Sequence, residues 1–266
     1  MLPTPSTSHV SFATVYEPAE DSFLLLDTLS SASETAFLSA RLSSPPSALA
    51  RLSPLVLEVG TGSGVIISFL TANAATIFGR DDVLALGVDA NVVACQATQE
   101  TATRAVNEVE GRTSELDLRT KSPRRADAGR FLDCIVADLS GPIPAGAVDV
   151  LIFNPPYVPT PELPAVPTPD LAHGGSFDEE SYLLSLSYAG GADGMETTSR
   201  LLEQLPVLLN QDRGVAYVLL CASNRPEKVK EMITAWGGGW KVETVGSSGA
   251  KAGWERLQVV RIWKRV

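Results

Sequence analysis

The apolar positions of this 266-residue chain change their spacing near residue 54. Before that point they recur every three or four residues, as Leu25 and Leu29 do, which predicts helices from residue 18 onward and over 34–42. The first residues are rich in Ser, Thr and Pro, so we expect 1–14 to be disordered. The N-terminal helices (15–53) would then precede a fold of a different kind.

Beyond residue 54, short apolar runs alternate with stretches of helical spacing. We predict strands at 55–59, 83–88, 131–137, 148–153, 215–220, 240–245 and 257–263, and helices at 65–70, 91–109, 195–209 and 226–236. Continuous apolar runs are typical of parallel strands buried on both faces. The alternation predicts an α/β doubly wound sheet with one antiparallel strand at its end, in a single domain over 15–266. The mixed-charge segment 110–130 is interpreted as an exposed insertion.

Composition narrows the functions that such a domain could serve. The chain has 31 Asp and Glu residues against 21 Lys and Arg, a net charge of -10, whereas proteins that grip nucleic acid need a basic surface. Three scattered cysteines and two histidines, His9 and His173, predict neither a disulfide framework nor a metal site. No apolar run reaches the roughly 18 residues of a membrane span, so we expect a soluble intracellular protein.

Acidic residues follow or end three of the predicted strands. Glu58 precedes a turn with glycines at 60, 62 and 64, a spacing tighter than the dinucleotide fingerprint. Its carboxylate would repel a pyrophosphate but tolerate a cationic ligand. Asp89 could accept ribose hydroxyls and Asp138 an adenine amino group, at the strand ends where open α/β sheets bind ligands. Each acid could instead simply cap the helix that follows it.

The sequence Asn154-Pro155-Pro156-Tyr157 follows the fourth strand directly. Asn is a common turn former, and Pro-Pro-Tyr could be only a stiff loop. However, the Asn154 side-chain oxygen and the Pro155 carbonyl would offer two fixed acceptors to a planar NH2 group, with Tyr157 as a stacking wall. The prolines have no N–H to compete and little entropy to lose, so the acceptors would be preorganised.

At these residues the chain resembles the class I S-adenosylmethionine-dependent methyltransferases that act on planar nitrogens. Together with residues 15–22, 57–60, 153–158 and 190–194, the motif resembles the eukaryotic branch of the HemK-type glutamine methyltransferases. The resemblance implies a Rossmann-like seven-stranded sheet of order 3-2-1-4-5-7-6 with the last strand antiparallel. It also implies N5-methylation of the glutamine in the Gly-Gly-Gln motif of the class 1 peptide-chain release factor, in the cytoplasm and also the nucleus.

The resemblance assigns roles to individual residues. It implies that the catalytic residues are Asn154, Pro155 and Tyr157, with Pro156 also contacting the substrate. It implies contacts with S-adenosyl-L-methionine at Ser22, Glu58, Gly60, Gly62, Asp89, Asp138, Leu139 and Asn154. The mechanism would rest on positioning and electrostatics, with the amide proton leaving to water.

The strand at 131–137 would lie at an open edge of that sheet. Its residues Phe131, Leu132, Cys134, Ile135 and Val136 are apolar, and soluble proteins seldom leave such an edge bare. Of these, Phe131, Leu132, Cys134 and Ile135 are the predicted partner interface. The insertion at 110–130 could fold over it. Alternatively, because the resemblance implies a heterodimer with a small zinc-binding activator protein, the strand would extend its sheet into that partner.

Other functions stay open at this point. An adenine N6 DNA methyltransferase could use the same pocket on a flipped base, although no basic groove or target-recognition domain is evident. A protein lysine methyltransferase is another alternative, although a lysine substrate has no planar NH2 group to donate to the two acceptors. A non-catalytic module of the same fold and a dinucleotide-dependent oxidoreductase are further alternatives, disfavoured by the acidic residues and the glycine spacing respectively.

Overall fold

The computed structural model describes residues 2–43, 52–120, 127–166, 176–249 and 256–265. His173 and parts of the 110–130 segment and of the proline-rich loop lie outside these residues. The described strands form one seven-stranded sheet of order β3-β2-β1-β4-β5-β7-β6. They are β1 (Leu55–Val59), β2 (Leu84–Asp89), β3 (Arg130–Val136), β4 (Val150–Phe153), β5 (Val215–Cys221), β6 (Trp240–Ser247) and β7 (Leu257–Lys264).

Strand direction confirms the predicted topology. β1 pairs in parallel with β2 and β4, and β2–β3 and β4–β5 are parallel as well. Only β7 runs antiparallel to its neighbours β5 and β6. All seven residues of β5 are buried, because successive side chains point to opposite faces and both faces are covered by helices.

Eight α-helices belong to the described part of the chain. They are α1 (Glu20–Leu29), α2 (Ala32–Ser43), α3 (Val65–Ala72), α4 (Ala74–Phe78), α5 (Val92–Thr120), α6 (Phe177–Ser185), α7 (Glu196–Leu208) and α8 (Pro226–Ala235). One core cluster joins α1–α4 to one face of the sheet, and a second joins α7 and α8 to the other face. The doubly wound architecture thus places the carboxyl ends of the parallel strands between two helical layers.

Two segments differ from the sequence-based expectation. α5 continues to Thr120, so the first half of the 110–130 segment extends a helix rather than forming an insertion loop. Residues 2–14, predicted to be disordered, contact the folded domain instead, Leu2 at one core cluster and His9 at α5. Two contacts fix them: His9 Nε2 lies 3.2 Å from Thr101 Oγ1, and Asn91 Nδ2 donates to the Thr14 carbonyl at 2.8 Å. These polar contacts, together with the buried Val15, offset the entropy of ordering the segment.

The N-terminal helices are joined to the sheet by a buried ion pair. Arg261 Nη1 donates to both Glu34 carboxylate oxygens at 2.8 and 2.9 Å, and Tyr217 donates to Glu34 Oε2 at 2.8 Å. The Arg261 guanidinium also stacks on the Phe37 ring at 3.8 Å. This network links α2 to β5 and β7, and α1 packs against α2 as well as directly on α3, β6 and β7.

Candidate active site

A cavity of about 330 Å³ opens at the carboxyl ends of the parallel strands. Its floor comes from the ends of β1, β2 and β4 and the segments that follow them. α1 contributes Asp21 and Ser22 from the side, and the loop after β4 closes the far wall. Every residue predicted to bind the cofactor or the substrate lines this cavity: Ser22, Glu58, Gly60, Gly62, Asp89, Asp138, Leu139, Asn154, Pro155, Pro156 and Tyr157.

The glycine turn after β1 adopts a left-handed backbone at each of its three glycines. Gly60, Gly62 and Gly64 have φ values of 68°, 53° and 76°, which L-residues with a side chain rarely adopt. A Cβ on Gly64 would also lie 2.6 Å from Thr98 Cα of α5. The turn therefore needs glycine at position 64 for two reasons, backbone conformation and the close approach of α5.

Glu58 occupies the N-terminal end of α3. Its Oε2 accepts the Ile67 N–H at 2.8 Å, and Gly64 is the N-cap of that helix. Burial raises the pKa of the Glu58 carboxyl well above its ordinary value, although the Ile67 hydrogen bond opposes this. A phosphate normally binds at such a helix end. Here a carboxylate takes that place, which disfavours a dinucleotide and favours a cationic ligand.

Asp89 ends β2 with both carboxylate oxygens already engaged. Oδ2 accepts from the Gly62 N–H at 2.9 Å and Oδ1 from the Asn91 N–H at 2.8 Å. Burial raises its pKa, while these backbone hydrogen bonds favour the charged form. Hydrogen bonds from the Ala90 backbone and the Thr61 side chain act on the pKa in the same direction.

The third acidic residue has a partner that the sequence analysis did not identify. Asp138 forms an exposed ion pair with Arg200 of α7, which also lines the cavity. The next residue, Leu139, is buried and has a left-handed backbone (φ 51°). Such a conformation costs a non-glycine residue about 1 kcal/mol and is typical of functional sites.

Asn154 follows β4 and faces the N-terminal helix α1. Its Nδ2 donates to Asp21 Oδ2 at 3.1 Å. Its Oδ1 is buried, and no group in the described residues donates to it. Unpartnered buried acceptors are rare in folded proteins, and this one belongs to a residue that lines the cavity.

The segment after Asn154 packs tightly against the glycine-rich segment 190–194. A Cβ on Gly194 would lie 2.0 Å from the Tyr157 carbonyl oxygen, and one on Gly190 would lie 2.4 Å from the Pro156 carbonyl oxygen. Asn224 Nδ2 lies 3.3 Å from the Tyr157 carbonyl and 3.2 Å from that of Gly194. The glycines and Asn224 thus hold the backbone around Pro156 and Tyr157 in one position.

An apolar rim surrounds the mouth of the cavity. It is formed by the loop after Tyr157, by α6, a helix that the sequence analysis did not predict, and by the residues that follow α6. A capping box starts α6, in which the Ser176 hydroxyl accepts from the Glu179 N–H and the Glu179 carboxylate accepts from the Ser176 N–H. The Ser-x-x-Glu spacing at 176–179 is the signal that could have revealed this helix. The rim residues are Val158, Leu163, Pro164, Val166, Leu183, Leu186 and Tyr188.

The predicted interface strand β3 lies at one edge of the sheet, as expected. A register irregularity pairs Phe131 with Ala85 and Asp133 with Leu86, so Leu132 has no partner residue on β2 and is 47% exposed. Phe131 and Ile135 pack partly against the two cores. Cys134 was predicted at the interface, but its side chain is buried, with Sγ 3.5 Å from Thr61 Oγ1. Of the apolar residues of this strand, Leu132 and Val136 have exposed side chains.

No helix in the described residues is long and apolar enough to cross a membrane. Within the same residues there is also no group of three His, Cys, Asp or Glu side chains that could hold a metal ion.

Comparisons with known proteins place the chain among methyltransferases. No family model matches it. The chain is 33% identical to the "eRF1 methyltransferase catalytic subunit mtq2" of Schizosaccharomyces pombe, over 99% of this chain and 96% of that protein. It is 31% identical to human "Methyltransferase HEMK2", over 98% and 96%. The solved structure of the "E. cuniculi Mtq2-Trm112 complex" shares the fold, with a TM-score of 0.53 and 21% identity over 95% of this chain and 99% of that chain.

Proposed function

Because this chain belongs to the family of the mtq2 and HEMK2 methyltransferases, we propose that it methylates the side-chain amide of a glutamine in the eukaryotic release factor eRF1. It is an enzyme, and S-adenosylmethionine is its methyl donor. The observation that carries the choice of an amide substrate is the buried, unpartnered Oδ1 of Asn154. A planar NH2 group is the donor that this oxygen lacks.

The polar groups that line the cavity match those of S-adenosylmethionine. Glu58 would face the cationic end of the cofactor, because a buried carboxylate with a raised pKa gains most from a nearby positive charge. Asp89 would accept the ribose hydroxyls, and Asp138 and Leu139 would contact the adenine. Ser22, Gly60, Gly62 and Asn154 complete the proposed contacts. When bound, S-adenosylmethionine supplies an electrophilic methyl group, whose bond to sulfur breaks as the bond to nitrogen forms.

The residues after β4 would position the substrate amide. An amide nitrogen is a poor nucleophile, because its lone pair is delocalised into the carbonyl group. Asn154 Oδ1 and the Pro155 carbonyl would accept its two N–H groups, favouring the positive charge that develops on nitrogen. Pro156 and Tyr157 would form the wall against which the amide plane rests. The proton then leaves to water.

The protein substrate and the partner are inferred from the relatives. The S. pombe relative is named for eRF1, and the related structure is a complex with Trm112. We infer that this chain acts on the glutamine of the eRF1 Gly-Gly-Gln motif, and that it does so as a heterodimer with a small zinc-binding Trm112-type activator. The exposed Leu132 and Val136 on edge strand β3 support contact with such a partner. Action on a translation factor would place the reaction in the cytoplasm, and a nuclear pool stays a prediction.

An adenine N6 DNA methyltransferase is the second candidate, since the same acceptors would suit a flipped adenine amino group. The net charge of -10 disfavours it, because duplex binding depends on neutralising phosphates. A lysine substrate is disfavoured by the paired acceptors, which match a planar NH2 group.

Transfer of a labelled methyl group tests the proposal. The chain, purified alone and together with its Trm112-type partner, is incubated with labelled S-adenosylmethionine and one of three substrates: eRF1, duplex DNA or histone. We expect label on eRF1 only, and far more with the partner present. Label on DNA or histone without label on eRF1 would refute the proposal.

A further inference from the structure

The amide of Asn154 could present either its oxygen or its nitrogen to the cavity, and only one of the two suits an NH2 substrate. We propose that Asp21 of α1 is the positioning residue that sets this choice, by holding the Asn154 Nδ2 so that Oδ1 faces the substrate. This inference deepens the proposed function and rests on it. No part of the Asn-Pro-Pro-Tyr signature contains Asp21, which lies 133 residues away in the sequence.

Asp21 can favour one orientation of the neighbouring Asn154 amide over the other. Its side chain is buried, and as a carboxylate it accepts hydrogen bonds but donates none. Oδ2 receives the Asn154 Nδ2 at 3.1 Å. If the Asn154 amide turned over, its oxygen would face the carboxylate and the two acceptors would repel each other. The hydrogen bond to Asp21 therefore favours the orientation in which Asn154 Nδ2 points toward the carboxylate, even though the two orientations have nearly the same shape.

The carboxylate is itself held in place. Its Oδ1 accepts from the Ser22 N–H at 2.6 Å and from the Ser22 hydroxyl at 3.2 Å. Both contacts come from the adjacent residue of the same helix, so the direction of Oδ2 follows from the backbone of α1. The chain of contacts thus runs from α1 through Asp21 to the Asn154 amide and ends at the free acceptor Oδ1.

The consequence for the reaction follows from the donors on the substrate. A glutamine amide nitrogen presents N–H groups, so an inverted Asn154 would set donor against donor. The substrate could then bind less well in the reactive orientation, although the cofactor would still find Glu58 and Asp89 unchanged. Asp21 should therefore affect turnover far more than cofactor affinity.

The variant Asp21→Asn tests this with almost no change in shape. The oxygen of the new amide at position 21 would keep accepting from the Ser22 N–H, so the new NH2 group would take the place of Oδ2. Because this NH2 group is a donor, the Asn154 amide would rotate to present its oxygen to it. We expect kcat to fall about 100-fold, the cost of losing one preorganised polar contact, with the melting temperature and the dissociation constant for S-adenosylmethionine nearly unchanged. The matched control is Asp27→Asn, the same change at an exposed position of α1, which should behave as wild type.

A second substitution should restore what the first removes. In the double variant Asp21→Asn with Asn154→Asp, the new amide at position 21 can donate to the new carboxylate at position 154, whose other oxygen again faces the substrate as an acceptor. We expect the double variant to turn over at least about tenfold faster than Asp21→Asn alone. A merely structural role for Asp21 would give no such recovery.

A measurement without substrate separates this inference from the proposed function. Hydrogen exchange of the Asn154 side-chain NH2, followed by NMR on the intact protein, should be slow in wild type and faster in Asp21→Asn, because the NH2 then no longer donates to the Asp21 carboxylate. Unchanged exchange, unchanged turnover, or a loss of turnover matched by an equal loss of cofactor affinity would overturn the assignment. Failure of wild type to modify eRF1, with the exchange result as expected, would refute the substrate and leave the positioning role standing.

Discussion

At the scale of single residues, the cavity is lined by buried carboxylates, Glu58 and Asp21, and a half-buried one, Asp89. Glu58 accepts a hydrogen bond at the N-terminal end of α3, and Asp89 accepts one from the glycine turn. Asp21 accepts one from the Asn154 side chain. Each is held by backbone N–H groups, which offset part of the cost of burying a negative charge. The residue-level design thus suits a ligand that brings positive charge and N–H or O–H donors into the cavity.

Cofactor affinity should depend on pH through Glu58. Burial raises its pKa in the ligand-free protein, and a cationic ligand favours the ionised form, so binding releases a proton at pH values below the raised pKa. We expect affinity for S-adenosylmethionine to strengthen as pH rises, by at most about tenfold per unit for one proton, and to level off above that pKa. Calorimetric titrations across pH measure this, and Glu58→Gln should flatten the profile whereas the exposed Glu203→Gln should not.

The same shift has a consequence for stability with a definite sign. A carboxyl whose pKa is raised in the folded state contributes stability below its unfolded pKa, and loses it as pH rises through the folded value. Glu58→Gln should therefore gain stability relative to wild type as pH rises, in the absence of ligand. A constant difference in melting temperature across pH would contradict this assignment.

Gly64 and Gly62 offer a matched pair for the glycine turn. Both have left-handed backbones, but only a Cβ on Gly64 would meet α5, at Thr98. We expect Gly64→Ala to lower the free energy of unfolding by about 3 kcal/mol, from backbone strain plus overpacking. Gly62→Ala should cost only about 1 kcal/mol, from strain alone. Urea denaturation checks both, and equal losses would show that the approach of α5 is unimportant.

At the scale of elements, the site depends on how α1 and α2 are joined to the sheet. The Glu34–Arg261 pair is almost fully buried and links α2 to β7. α1, which carries Asp21 and Ser22, packs against α2 as well as against α3, β6 and β7. The position of the cavity wall therefore depends in part on elements that contribute no residue to the chemistry.

Removing one member of that pair should be costly, since it leaves the other charge without its buried partner. We expect Glu34→Gln to lower the free energy of unfolding by about 3 kcal/mol, measured by urea denaturation. The exposed Glu231→Gln on α8 is the control and should change it little. A loss no larger than that of the control would mean that the pair does not anchor α2.

The sequence pattern predicted the sheet well and the helices less completely. Every strand was predicted within about two residues, because a buried parallel strand is a continuous apolar run with a turn at each end. The extension of α5 to Thr120 was missed because residues 110–120 are charged and lack an apolar period. α4 is only five residues long, too short to show any period.

The site was predicted as a set of residues but not as a set of contacts. The residues at strand ends could be found because parallel strands bring their carboxyl ends to one edge of the sheet. The Asp21–Asn154 and Asp138–Arg200 contacts join distant segments and have no local signal. The burial of Cys134 was missed because a register irregularity decides which face of β3 each residue takes.

For the whole molecule, the acidic charge and the open sheet edge point to protein partners. The net charge of -10 suits a basic protein surface better than nucleic acid. β3 is the edge strand next to β2. Its exposed apolar residues are Leu132 and Val136. A partner strand placed there would shield both.

Charged substitutions on this edge should block assembly without unfolding the chain. We expect Leu132→Lys with Val136→Lys to weaken binding of the Trm112-type partner about 30-fold or more, as for central interface residues, measured by pull-down and calorimetry. Val207→Lys is the control, since Val207 is 64% exposed on α7, far from β3. Undiminished binding by the double variant would place the partner elsewhere.

The most direct test of the proposed chemistry is to map the methyl group on eRF1 by fragmentation mass spectrometry. It compares the wild-type complex with Asn154→Ala, and the cofactor affinity of both is measured in parallel. We predict one methyl group on the glutamine side-chain nitrogen of the Gly-Gly-Gln motif with wild type. With Asn154→Ala we predict at least about 100-fold less, with cofactor affinity changed no more than about tenfold. A methyl group on any other residue, or full methylation by Asn154→Ala, would contradict the role of this site.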